Sequence, residues 1–180
     1  GAPAMLECGL LFLSFAALGI YQAAPAVTTG DAGEFAAAAA VWGVPHAPGY
    51  PVWTLLAKAV GTALPLGDWA YRANLLSALC GAAALALLCD ALRRWGAPRA
   101  ARIGAVVLLG LSPLWREQSA VAEVFAPLML CGAGLLWLVS AAGERLLSPG
   151  PAAALGLVFG LGLGVHQTLV LVVPALILAG

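Results

Sequence analysis

Runs of roughly 15 to 20 apolar residues recur along this chain, and each approaches the length a helix needs to cross a hydrocarbon layer about 30 Å thick. With 63% of its 180 residues hydrophobic and only 9% charged, the chain carries more apolar surface than a soluble core of this size can hide. An all-α polytopic transmembrane helix bundle is therefore expected. The runs place six spans at 5–23, 74–92, 100–114, 121–142, 152–165 and 168–180, with a long first loop at 24–73. The chain opens at Gly1 without an initiator methionine and stops at Gly180 inside an apolar run, so it reads as the N-terminal part of a longer protein.

Charge placement orients the bundle. Eight basic and eight acidic residues cancel to a net charge of zero, which gives no support to a nucleic-acid partner. Arg93, Arg94, Arg99 and Arg102 gather around the connection between the second and third spans, and Arg145 lies between the fourth and fifth. The positive-inside rule puts both connections and the N-terminus in the cytoplasm. Loop 24–73, the turn at 115–120 and the turn at His166 then lie outside. Most of the remaining polar chemistry shares that face: Asp31, Glu34, His46, Lys58, Asp68, Arg72, Arg116, Glu117, Glu123, His166 and Gln167. Glu7, near the start of the first span, is expected at the membrane edge or against other helices. Cys8, Cys80, Cys89 and Cys131 sit in apolar runs without metal-ligand spacing and read as buried, reduced side chains.

The stretch Thr29–Pro51, TGDAGEFAAAAAVWGVPHAPGYP, interrupts the apolar pattern with two carboxylates, a histidine and a cluster of prolines and glycines. Residues 33–42 and 50–64 can form two short helices, with Phe35, Trp42 and Trp53 as aromatic anchors suited to lying in the membrane interface. Pro45, Pro48 and Pro51 break the register between them and impose a rigid turn. The Asp31/Glu34 spacing is open to two readings. Asp31 could cap a helix with Glu34 reaching back to close a capping box, or the two could form a reactive pair, and a cap would itself hold a carboxylate in place. His46 also fits a backbone-bonded turn residue, His166 a polar bridge between helices, Lys58 a snorkelling side chain, and Arg116 with Glu117 an interfacial pair.

Five blocks carry a wider likeness: DAGEF, GVPHAPGYPVWTLLAK, PLGDWAYRANLLSALCGA, SPLWREQSAVAEVFA and GLGLGVHQTL. In order and spacing they strongly resemble a membrane domain family of formerly unknown function. That family is common in bacteria, is related to protein O-mannosyltransferases, and includes a eukaryotic transmembrane O-mannosyltransferase. The resemblance implies a GT-C type fold with two interfacial helices in the first external loop. Family blocks fall on Asp31 with Glu34 beside it, on Pro45, His46, Pro48, Gly49, Tyr50 and Pro51, on Tyr71, Arg72 and Asn74, on Ala122, Glu123 and Val124, and on Gly162, Gly164 and His166. Phe125 departs from a frequent tyrosine, and Gln167 falls where the pattern varies.

The resemblance implies a membrane glycosyltransferase that moves a sugar, expected to be mannose, from a polyprenyl-phosphate donor to a hydroxyl on a protein or lipid acceptor. The setting it implies is a bacterial inner membrane, with the active face periplasmic or extracellular. Such a transfer needs a carboxylate to take the acceptor proton, and Asp31 is the candidate, assisted by Glu34 or Glu123. The leaving phosphate calls for donors already aimed at it, for which Arg72, His46, Lys58, Arg116 and His166 are candidates, with Tyr50 beside the substrate. No metal-ligand spacing is legible, and neither metal nor cofactor is expected. A transporter and a noncatalytic membrane scaffold are the rivals. A transporter would set its ionisable groups near the bilayer midplane, often in repeated halves, whereas here they gather at one end and no internal repeat is found.

Overall fold

The computed structural model describes residues 2–179, with side chains from residue 4 to residue 178. Among the described residues every regular element is helical: α1 (Ala2–Gln22), α2 (Ala32–Val41), α3 (Pro51–Ala63), α4 (Trp69–Arg94), α5 (Arg99–Leu111), α6 (Pro113–Gln118), α7 (Phe125–Ala142), α8 (Pro149–Val165) and α9 (Val173–Ala179). Two short 3₁₀ turns, Gly143–Arg145 and Gln167–Val172, join the last three helices. Three segments are long and apolar enough to cross a membrane: Ala4–Gln22, Trp69–Arg94 and Phe125–Arg145.

Helix α4 is the axis of the bundle, with α1 and α7 packed along it and α2, α3 and α5 against its sides. It begins at Trp69, earlier than the apolar run alone indicates, because Asp68 caps it and accepts a hydrogen bond from the Tyr71 backbone N–H at 2.8 Å. Small residues then let neighbours approach closely. A Cβ added at Gly19 of α1 would lie 3.0 Å from the Ala78 Cβ, and one at Gly110 of α5 would meet the Phe15 ring at 2.5 Å.

The far end of α4 carries Arg93 and Arg94 in its last turn, where the carbonyl end of the helix dipole favours cations. Both donate through Nε to Asp90 at 2.7 Å. The Trp137 indole of α7 donates to the same carboxylate at 2.8 Å. Glu7 of α1 faces α5, where it pairs with Arg99 at 2.7 Å and with Arg102.

Several helix bounds differ from the apolar runs, each for a local reason. The run 100–114 is divided because Ser112 caps a new helix with Pro113 in its first turn, and proline there needs no backbone donor. Residues 121–124 lie outside α7. After α8 the chain turns through 3₁₀ geometry at Gln167–Val172 before α9.

Helices α2 and α3 form within the loop, but their aromatics are not all surface anchors. Phe35 and Trp53 are 1% and 0% exposed and belong to the core with Ala57, Leu76, Ala126 and Val165, whereas Trp42 is 62% exposed. Asn74 of α4 pins the start of the loop by donating to the Ala24 carbonyl at 2.7 Å. Helix α8 closes on α3, where a Cβ at Gly164 would meet Val52 at 2.5 Å.

Candidate functional site

The turn between α2 and α3 is where the chain leaves ordinary backbone geometry. Trp42 and Tyr50 take left-handed conformations, with φ of 58° and 43°, costly for side chains with a Cβ and held only when the surroundings over-determine them. Tyr50 is 7% exposed, and the Phe35, His46 and Trp53 rings supply that constraint. Phe35 meets His46 edge-on at 5.7 Å and Tyr50 at 5.2 Å, with Trp53 at 4.6 Å beneath.

On this aromatic base the proline turn carries His46 back to α2. Glu34 grips it twice: Oε1 accepts from the His46 backbone N–H at 2.6 Å, and Oε2 lies 3.0 Å from ring Nδ1. No capping box forms. Asp31 stands at the N-cap of α2 without a side-chain cap bond, and Glu34 is committed to His46. With Nδ1 turned to Glu34, the other ring nitrogen, Nε2, lies 3.2 Å from the Tyr50 hydroxyl and 3.8 Å from Asp31 Oδ2.

Glu123 and His166 enter from the other connections. Trp53 Nε1 donates to the Glu123 carbonyl at 3.1 Å, and the Glu123 carboxylate lies beside the Gly30 turn, 3.9 Å from where a Cβ at Gly30 would stand. His166 stacks on Tyr50 at 5.7 Å and leans on Phe125 at 5.9 Å. Its Nδ1 accepts from the Thr168 backbone N–H at 3.2 Å and lies 2.7 Å from the Thr168 hydroxyl. Asp31, Glu34, His46, Tyr50, Glu123 and His166 thus form one contiguous group at the α4 start, drawn from three separate connections.

This group is acidic and lacks a strong cation. Among the described residues, no lysine or arginine forms an ion pair with Asp31, Glu34 or Glu123. The hydrogen bond to Glu34, and then the charges of Glu34, Asp31 and Glu123, raise the His46 pKa above its ordinary value. The same hydrogen bond lowers that of Glu34. Burial, followed by the Asp31 charge, pushes half-buried Glu123 up. Burial and the neighbouring carboxylates do the same to the Tyr50 phenol. One ligand atom from each of Asp31, Glu34 and His46 lies within 4.8 Å of the others, a spacing that could hold a metal ion. Chain positions 31, 34 and 46 carry no such signal until the proline turn folds back.

The other expected cations lie elsewhere. Arg72 donates to the carbonyls of Gly61 and Gly67 at 3.0 Å each and to that of Leu66 at 3.4 Å. Its guanidinium is drawn to the unpaired carbonyls at the end of α3 and ties α3 to α4. Lys58 donates to the Ala40 carbonyl at 2.7 Å and sits over the Trp69 ring at 4.6 Å. Arg116 donates to Gln22 at 3.2 Å, not to Glu117. Phe35, Trp53 and Thr168 were not site candidates in the sequence, although all three lie inside the blocks DAGEF, GVPHAPGYPVWTLLAK and GLGLGVHQTL.

A family model described as the protein O-mannosyl-transferase TMEM260 N-terminal domain matches residues 31–179. The chain belongs to this family. The matched residues begin at Asp31 and include the acidic group and its aromatic base. Among curated proteins, mouse (Mus musculus) protein O-mannosyl-transferase TMEM260 is 40% identical over 116 residues, covering 64% of this chain and 16% of the relative. The chain therefore matches only a small part of that longer TMEM260 protein. No solved structure matches.

Proposed function

We propose that this domain is the N-terminal part of a GT-C type membrane glycosyltransferase, which moves mannose from a polyprenyl-phosphate donor to a hydroxyl of a protein acceptor. The observation that carries this reading is the convergence of Asp31, Glu34 and Glu123 around His46 at one end of the bundle, without lysine or arginine to neutralise them. An unneutralised carboxylate beside an open surface is available to receive a proton. Membership of an O-mannosyltransferase-related family supplies the reaction class.

Asp31, with its side chain 57% exposed, is the proposed base. It takes the acceptor proton as the hydroxyl oxygen bonds to the anomeric carbon, while the bond from that carbon to the phosphate oxygen breaks and the polyprenyl phosphate leaves. Glu34 positions His46, and His46 with His166 provides ring nitrogens toward the leaving phosphate. The stacked Tyr50 and His166 rings form a platform for the sugar. Glu123 orients the acceptor or sugar. Lys58, Arg72 and Arg116 act in this reading away from the reacting groups, through contacts that tie α3 to α2, α3 to α4 and α6 to α1.

The proposed setting is a bacterial inner membrane, with the arginine-rich end and the N-terminus cytoplasmic, loop 24–73 outside, and α2 and α3 along the interface. Gathering of the ionisable groups at the two ends of α4 supports an enzyme over a transporter, whose groups belong near the midplane. The test is incubation of the full-length protein with labelled polyprenyl-phosphate mannose and acceptor membranes. Label bound to acceptor through a hydroxyl is expected. Intact donor or free sugar crossing the membrane without transfer would contradict the proposal.

A further inference from the structure

We propose that the arginine-rich end of the bundle binds the headgroup of an anionic phospholipid, in the groove between α1, α4 and α7. A cavity of about 470 Å³ opens there, with Met5, Cys8 and Leu87 on its apolar wall and Arg93, Arg94 and Trp137 at its polar side. It lies at the opposite end of α4 from the proposed transfer site and does not depend on that reading.

The arginines are preorganised for a phosphate. Asp90 takes the Nε–H of both at 2.7 Å, which fixes the two side chains while leaving their terminal amino groups without a hydrogen bond among the described residues. Arg93 and Arg94 are 31% and 32% exposed, so those groups have access to the groove. A guanidinium presents paired N–H donors that fit phosphate oxygens. The Asp90 oxygens are occupied by Arg93, Arg94 and Trp137, which turns its charge inward.

Charge and shape select a lipid over a free anion. Arg93, Arg94, Arg99 and Arg102 pair only with Glu7 and Asp90 among the described residues, and Glu144 and Arg145 at the end of α7 cancel, leaving two positive charges in excess. Basic pockets between membrane helices attract acidic headgroups. The Arg94 guanidinium lies 5.2 Å over the Trp137 ring, and indoles favour headgroup depth. Met5, 77% exposed, extends an apolar wall along which an acyl chain can lie.

The test uses full-length protein in nanodiscs that contain acyl-brominated phosphatidylglycerol or phosphatidylcholine. Quenching that belongs to Trp137 is taken as the difference between the parent and W137F. Phosphatidylglycerol is expected to quench at a much lower lipid fraction than phosphatidylcholine, and the R93Q/R94Q double variant to lose about thirtyfold of that preference. Millimolar inorganic phosphate is expected to leave the quenching unchanged. Equal quenching by both lipids, or displacement by phosphate, would overturn the proposal. Absence of Trp137 quenching by either would mean that another segment of the longer chain fills the groove, which also overturns it. Native mass spectrometry of the unmodified protein provides a check independent of the variants: retained phosphatidylglycerol supports the site, and a lipid complement matching the bulk bilayer refutes it.

Discussion

The two ends of α4 are both rich in ionisable groups, yet they are built on opposite principles. At the Arg93–Arg94 end two carboxylates are each shared between two arginines: Asp90 by Arg93 and Arg94, Glu7 by Arg99 and Arg102. At the Trp69 end Asp31, Glu34 and Glu123 surround His46 without a lysine or arginine pair. The helix between them has 26 residues, which separates the ends by about 39 Å. A carboxylate saturated by guanidinium donors serves to lock helices together. At the other end the two environments diverge: the His46 hydrogen bond lowers the Glu34 pKa, while burial and then the Asp31 charge raise that of Glu123.

Breaking the saturated end should cost stability more than activity. Asp90→Asn removes the charge that holds Arg93, Arg94 and Trp137 together, and a loss of about 2 kcal/mol is expected for a charged hydrogen-bonded group of this kind. Thermal unfolding of the purified protein measures it, and an unchanged transition would erase the contrast. A smaller loss, about 1 kcal/mol, is expected for Tyr50→Phe, which deletes the 3.2 Å contact between the Tyr50 hydroxyl and His46. The same unfolding measurement reads it, with the ring stack on His166 retained.

Glu34→Gln sharpens the comparison through pH. The His46 pKa is raised above 6.5 by Glu34, so the stabilisation from this pair is full below about pH 6.5 and is lost as pH rises through the raised value. On the acid side the contribution of Glu34, whose pKa lies below 4.5, is present above 4.5 and is lost as pH falls through the lowered value. In Glu34→Gln the His46 titration midpoint is expected to drop toward 6.5, followed by NMR of the imidazole. A midpoint that stays in place would assign the shift to Asp31 or Glu123 instead.

The apolar runs made the helical character of the fold legible in the sequence. Apolar length identified the cores of α1, α4 and α7, because crossing length is a property of consecutive residues. The division of α5 from α6 depended on Ser112 and Pro113, which read as part of one apolar run until the cap is seen. Asp31 and Glu34 matched a capping box, a local pattern, but Glu34 bonds to His46, twelve residues away, a partner that only the folded proline turn supplies. Arg72 was a phosphate candidate on its charge and its place in a family block. Its guanidinium instead satisfies backbone carbonyls near the end of α3, a demand that no side-chain pattern reveals. Asp90 was overlooked within an apolar span, although two arginines three and four positions later are the helical spacing for ion pairs.

In the proposed transfer the acidic end carries the chemistry while the arginine-rich end supports the fold. The most direct test is turnover per folded molecule of full-length Asp31→Asn and Asp90→Asn, measured side by side with labelled polyprenyl-phosphate mannose. Asp31→Asn is expected to lose about 10²- to 10⁴-fold in kcat, the range for removal of a general base, with unfolding behaviour kept. Asp90→Asn is expected to unfold more readily but to retain turnover in its folded fraction. Full turnover in Asp31→Asn, with turnover lost in folded Asp90→Asn, would contradict the claim.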